Sequence, residues 1–191
     1  MNELSNKSEK IMSMENIETT RLLLRKFHEH DTDECFTNFG QDRELGRYLP
    51  MYPVEDKEKM KDIIDGFIQA YQAGAFIWLI VEKSENTPMG YVSVDVPYHK
   101  LRIGELGYLL GEKFQGKGYA TEAVEAVVDY MFQKENLHLI EAKYNEKNIA
   151  SGNLLERIHF TKECVLRDRR IDLLTGERAD LVICSLKDNE R

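Results

Sequence analysis

Cysteine is scarce in this 191-residue chain: only Cys35, Cys164 and Cys184 occur, widely spaced and in no metal-ligand pattern. That excludes a disulfide framework and a structural zinc site, and the three thiols read as buried and free. Long apolar runs are missing, so no stretch of the sequence reaches the length of a membrane span and no membrane partner is expected. The first fifteen residues are polar and charged and contain no apolar signal-peptide core, which gives a cytoplasmic expectation. Basic charge is in deficit, with 26 Lys and Arg against 34 Asp and Glu and a formal net charge of −8. Direct, nonspecific binding of nucleic acid needs a basic footprint and is excluded. The same charge can steer a cationic amine over long range, or can serve solubility alone. His28 and His30 stand close together, but nothing beside them completes a ligand set, so no metal is expected. Repeats and low-complexity tracts are absent.

What remains is ordinary globular material, 42% apolar and 31% charged, enough for one domain with a single substantial core. Residues 1–15 read as a disordered tail and 16–188 as that domain. Ile17 to Phe27 reads as a first strand. Asp31 can cap a short helix through Cys35, Phe36 and Phe39 that Gly40 stops, and Pro50 and Pro53 break the segment after it. Val54 to Gln72 carries Met60, Ile63, Ile64, Phe67, Ile68 and Tyr71 as one buried stripe, and Gly74 ends that helix. Three strands follow at Phe76–Lys83, Gly90–Val96 and Arg102–Leu110, with Asn86-Thr87-Pro88 as a turn, and Trp78 fills core space. Beyond the motif described next come a strand at Leu137–Asn145, a helix at Ala150–Ile158 and strands at Phe160–Ile171 and Arg178–Leu186. Thr175-Gly176 lies in the hairpin turn between the last two.

The organising stretch is Gln115-Gly116-Lys117-Gly118-Tyr119-Ala120. It stands between the strand Ile103–Leu110 and a helix on which Ala120, Val124, Val127, Val128 and Met131 share a face. Glycines leave backbone N–H groups open to a ligand, and a helix start favours an anion. The stretch therefore reads as a pyrophosphate cradle. A P-loop is excluded because Gly118 stands where the magnesium-binding Ser or Thr belongs. A dinucleotide fingerprint is excluded because its three spaced glycines and early strand are missing.

Gln115, Gly118 and Ala120 fit the pattern Gln/Arg-x-x-Gly-x-Gly/Ala, and the stretch resembles the acetyl-CoA signature of the GNAT N-acetyltransferases. Glu105-Leu106-Gly107-Tyr108 before it supports the likeness. So do Asn148-Ile149-Ala150-Ser151 and Leu154-Leu155-Glu156-Arg157-Ile158-His159-Phe160 after it. The resemblance runs from about Ile17 to Leu186 and is nearest to the branch that acetylates ribosomal-protein N-termini. It implies an α+β fold, a mixed and mostly antiparallel sheet of about six to seven strands with about four helices, splayed between the fourth and fifth strands. It also implies acetyl-CoA as co-substrate, with direct transfer to a primary amine, in the first place the α-amine of a protein or peptide. The alternatives are a small amine (polyamine, aminosugar or antibiotic) or an acyl-CoA-binding module without turnover. A monomer or homodimer fits either.

On that resemblance the cradle residues Gln115, Gly116, Lys117, Gly118, Tyr119, Ala120 and Thr121 hold the cofactor, with the Lys117 side chain free to face solvent. Main-chain groups of Leu109 and Leu110 take the pantetheine arm, and Asn148 either bonds that arm or caps the helix after it. Phe36, Tyr48, Leu49 and Tyr52 wall the acceptor side or simply pack under a loop. Glu105, on one strand face with Gly107, is the general-base candidate, with a structural ion pair as the other reading and His99 and Tyr144 as weaker options. Ser151 is the acid candidate or a capping group, because Leu155 stands where many members of the family carry a tyrosine. His159 replaces the usual helix-ending glycine and implies a different cap geometry.

Overall fold

The computed structural model describes residues 14–49 and 51–191. Residues 1–13 of the expected tail and Pro50 lie outside them. Met14 is buried, and the Glu15 carbonyl accepts the Trp78 indole N–H at 2.9 Å, so the packed chain is under way by Met14. Trp78 is fully buried, as expected, and a buried indole N–H requires such an acceptor.

Eight strands form one sheet in the order β1-β2-β3-β4-β5-β6-β8-β7. They are β1 (Ile17–Glu18), β2 (Leu22–Arg25), β3 (Phe76–Glu82), β4 (Thr87–Tyr98), β5 (Ile103–Leu110), β6 (Leu139–Asn145), β7 (Thr161–Ile171) and β8 (Arg178–Lys187). Every neighbouring pair is antiparallel except β5 with β6. The eighth strand arises because the expected first strand is folded into a hairpin. Leu22 N–H donates to Thr19 Oγ1 at 2.9 Å and Arg21 N–H to the Glu122 carboxylate at 2.9 Å, so the chain turns at Thr19–Arg21.

β4 starts at Thr87 and runs through Pro97, longer at both ends than its alternation suggests. The register shifts between Ile80 and Val81, opposite Pro88, and again between Asp95 and Tyr98. A proline can sit in a strand where a bulge removes the need for its missing N–H. The turn before β4 moves back accordingly, to residues 83–86.

Helices cover both faces: α1 (Thr32–Cys35), α2 (Lys57–Ala70), α3 (Tyr119–Gln133) and α4 (Ile149–Arg157). Asp56 caps α2 by accepting Lys59 N–H, and Gly74 (φ 83°) closes the short 3-10 turn Tyr71–Ala73 that follows it. On one face Val124, Val127, Val128 and Met131 of α3 are fully buried against Val92, Val94, Leu106 and Ile140. Each such side chain contributes about 1.5–3 kcal/mol of burial. On the other face Met60 and Ile64 of α2 meet Phe39, Leu79, Val81 and Leu109.

Three expectations need correcting. Asp31 does not cap α1: it is buried and takes both Arg25 guanidinium nitrogens at 2.7 and 2.8 Å, plus His28 N–H at 2.8 Å. A buried carboxylate needs those donors more than a helix end needs a cap. Cys164 is exposed rather than buried, since β7 is an edge strand with almost every residue open to solvent. His159 keeps the usual cap geometry. It adopts φ 72°, and Phe160 N–H reaches the Leu155 carbonyl at 2.9 Å, the long bond of a Schellman cap.

Candidate active site

The site originates where two parallel strands part. β5 and β6 pair only from Ile103 with Leu139 to Leu106 with Ala142. Beyond that point β5 stays paired with β4 through Leu110, while β6 stays paired with β8 through Asn145. The backbone groups of Gly107–Leu110 that face away from β4 therefore have no strand partner, and such groups demand one. A cleft of about 680 Å³ opens there. Its walls are β5 from Tyr108 to Leu110, the starts of α3 and α4, and the segment 44–49.

The α3 start is shaped by two left-handed glycines, Gly116 (φ 74°) and Gly118 (φ 80°). Glu122 N–H donates to the Gly118 carbonyl, closing the first helical turn. The N–H groups before it, through Thr121, have no intrahelical acceptor and lie at the positive end of the dipole. Gly116, Gly118, Tyr119, Ala120 and Thr121 line the cleft, and no carboxylate caps this helix. Free donors, open glycines and an unpaired strand edge together fit a pyrophosphate with an extended amide-bearing arm.

The loop is held from behind by Arg21, a residue the motif reading missed. Its Nη1 donates to the Lys117 carbonyl at 3.0 Å, its Nε to Glu122 at 2.7 Å, and its guanidinium carbon lies 4.4 Å from the Tyr119 ring centroid. Burial alone would raise the Glu122 carboxyl, but donors from Thr19, the Arg21 backbone and the Arg21 guanidinium outweigh it and hold the group below its ordinary value. Arg21 lies within the expected first strand, Ile17 to Phe27, yet nothing in one sequence says that it reaches across to α3. Arg157 of α4 also lines the cleft, with Nη1 3.4 Å from Thr121 Oγ1.

Several expected residues sit in other roles. Gln115 lines the cleft, but its side-chain amide donates to the Leu110 carbonyl at 2.9 Å and ties the loop to the end of β5. The Lys117 side chain is exposed and does not line the cleft. Asn148 lines it and caps α4 by accepting Ser151 N–H at 3.1 Å. Ser151 Oγ lies 2.7 Å from the Tyr108 phenol, and both residues line the cleft. Burial pushes the Tyr108 phenol up to about 12, with the Ser151 bond opposing it, so the phenol is protonated at neutral pH.

On the acceptor side, Tyr48 and Leu49 line the cleft, and the Tyr48 hydroxyl lies 3.5 Å from the Lys147 carbonyl. Arg47, missed from sequence, joins Glu44 at 2.6 Å and Asp172 of the β7–β8 turn at 3.2 Å. The segment 44–49 is thus fastened across the cleft mouth. Phe36 and Tyr52 do not line the cleft. Phe36 packs half-buried against the α1–α2 core, and Tyr52 is only 3% exposed within it, because that core draws in the nearby aromatic rings. Glu105 also lies outside the cleft lining, paired with Lys143 of β6 at 2.5 Å. It stands one residue before Leu106, the last paired position of β5. His99 and Tyr144 are away from the lining as well.

One group of potential metal ligands exists among the described residues, His28, His30 and Asp31, with ligand atoms within 4.8 Å of one another. The third ligand that the sequence reading did not find is therefore Asp31. Both of its oxygens are already committed to Arg25, whose guanidinium stands where a cation would have to bind. No helix among the described residues is long and apolar enough to cross a membrane.

A model of the acetyltransferase (GNAT) domain matches residues 21–161. An uncharacterised N-acetyltransferase of Bacillus licheniformis, p20, is 33% identical over 178 residues, which is 93% of this chain and 98% of its own. The [ribosomal protein uS5]-alanine N-acetyltransferase of Escherichia coli (strain K12) is 29% identical over 177 residues, 88% of each chain. The solved structure of RimL, a ribosomal L7/L12 α-N-protein acetyltransferase in complex with coenzyme A, gives a TM-score of 0.81 at 24% identity. That match covers 91% of this chain and 98% of RimL, a likeness of fold. With the splayed sheet and the glycine-started α3 already in place, the chain belongs to the GNAT acetyltransferases, enzymes that use acetyl-CoA, and stands near their ribosomal-protein branch.

Proposed function

We propose that this enzyme transfers the acetyl group of acetyl-CoA directly to the α-amine of a peptide or protein N-terminus. The observation that carries the reading is the parting of β5 and β6 beside the uncapped start of α3. In it, N–H groups of Gly118–Thr121 take the pyrophosphate, and the edge of Gly107–Leu110 that β6 leaves, apart from the Leu110 carbonyl held by Gln115, takes the pantetheine amides. A backbone N–H on that edge is placed to polarise the thioester carbonyl. Preorganised donors of this kind are worth about 3–4 kcal/mol each in the transition state.

The choice of acceptor rests on proton chemistry and on kinship. An α-amine with pKa near 8 is about one tenth neutral at pH 7, whereas a lysine amine near 10.4 is less than about a thousandth neutral. A lining that contains no histidine suits the former. Glu105 receives the amine proton through water, from its place just before the strands part. Ser151 offers its hydroxyl to the departing thiolate, which takes its proton from solvent. Relatives named for uS5 alanine N-acetylation support an N-terminal acceptor.

The test is to incubate pure protein with acetyl-CoA, a thiol reagent and separate acceptors: a short peptide with a free N-terminal alanine, spermidine and glucosamine. Thiol release fastest with the peptide supports the reading. Release only with spermidine or glucosamine moves the acceptor to a small amine, and acetyl-CoA binding with no release under any condition overturns catalysis.

A further inference from the structure

Tyr108 and Ser151 come from different elements and meet inside the cleft. Strand alternation sends Tyr108 to the α4 side of the sheet, with Leu106 and Leu110, while Glu105 and Gly107 face the other way. The phenol oxygen lies 2.7 Å from Ser151 Oγ and 3.4 Å from the Ser151 carbonyl. Leu155, at the place where many GNAT members carry a tyrosine, is buried in the core at 1% exposure. A phenol in hydrogen-bond contact with Ser151 at the α4 start is instead supplied by β5.

A pair of hydroxyls can share hydrogens in two ways. When Ser151 donates to Tyr108, the serine has no hydrogen left for a leaving group. When Tyr108 donates, the serine hydrogen is free to turn into the cleft, and accepting a bond strengthens it as a donor. The phenol keeps its proton at neutral pH, so it always has one to give.

We propose that Tyr108 is a positioning residue for acetyl transfer, donating its hydroxyl hydrogen to Ser151 Oγ so that the serine hydroxyl points at the departing sulfur. This rests on the reading of Ser151 given above. In the step, the amine nitrogen forms the new C–N bond and loses a proton on the Glu105 side. The electron pair of the breaking C–S bond stays on sulfur, which accepts the Ser151 hydrogen bond and then a proton from water. Tyr108 loses no proton.

Tyr108→Phe keeps the ring and its packing and removes only the hydroxyl. The experiment measures kcat and KM for Tyr108→Phe, Ser151→Ala and the double variant. It uses acetyl-CoA with the alanine peptide, and also the slow hydrolysis of acetyl-CoA by water, which needs no acceptor. Thermal melts check folding. The expected result is a fall in kcat of about tenfold for Tyr108→Phe, below the hundredfold or more of losing a direct donor. The KM for acetyl-CoA stays within twofold, and the double variant is no slower than Ser151→Ala. A normal kcat in Tyr108→Phe, or losses that multiply in the double variant, overturns the role of Tyr108. A normal kcat in Ser151→Ala refutes instead the serine assignment on which the proposal stands.

Discussion

Replacing Gly118 by valine tests the cradle at its most constrained point. Gly118 has φ 80° and ψ 1° and immediately precedes α3. A left-handed conformation costs an L-residue about 1–2 kcal/mol, and more when the side chain is β-branched. The new Cβ would stand 3.4 Å from Arg21 Nη2, an ordinary contact, so stability falls chiefly through backbone strain. Binding falls for a different reason: the branched side chain obstructs the N–H groups that face the cleft. A hydrogen bond to a charged group is worth about 1.5–3 kcal/mol. Losing one weakens coenzyme A binding by a factor of about 10 to 150, at 1.4 kcal/mol per decade. Calorimetric titration with coenzyme A reads this directly. Gly176→Val is the control, because Gly176 has φ 74°, open space around it and a place in the β7–β8 turn away from α3. Both variants should lose comparable stability, and only Gly118→Val should lose affinity. Coenzyme A bound by Gly118→Val within twofold of the parent would refute the cradle.

Three further outcomes follow from single contacts. Burial opposes ionisation of Asp31, but the Arg25 and His28 donors outweigh it and hold the carboxyl below its ordinary value. A folded-state value below the unfolded one means that this stabilisation is complete above the unfolded pKa, about 3.9, and is lost as pH falls through the folded value. Asp31→Asn leaves the Arg25 charge, 14% exposed, without its partner. It should destabilise by about 3 kcal/mol at neutral pH, with the gap to the parent closing in acid; urea unfolding across pH checks both. His159→Gly should raise stability by about 1 kcal/mol by relieving the left-handed histidine, read as a higher Tm. Glu105→Gln should lower kcat/KM for the alanine peptide by about a hundredfold or more; a kcat/KM within twofold of the parent removes Glu105 from the proton path.

The parts legible in the sequence are those governed by local rules. The glycines of the cradle, the apolar stripes of α2 and α3 and the valines of β4 each specify their own conformation within a few residues, and they appear where periodicity puts them. The place where the sheet splays was also legible, through the family resemblance. What escaped depends on groups far apart in the chain. Glu122 turns the first strand into a hairpin from 101 residues away, and Arg47 meets Asp172 across 125. Neither pairing leaves a trace in local spacing. Tyr108 was quoted in the motif yet unassigned, because alternation gives its face of the sheet and not the α4 serine waiting there. Tyr52 takes the second of its two readings, packing under a loop, because the α1–α2 core encloses it, which spacing alone does not show. His159 shows that a missing glycine need not change a cap when the surrounding bonds hold φ positive.

The central claim is acetylation of an α-amine in the β5–β6 cleft, and one peptide decides it. A synthetic peptide with a free N-terminal alanine and one internal lysine is incubated with the enzyme and acetyl-CoA at pH 7, and fragmentation mass spectrometry locates the added acetyl group. The account predicts acetyl on the alanine nitrogen, with the lysine left free. Acetyl on the lysine, or an unmodified peptide in a reaction that acetylates spermidine, would contradict it.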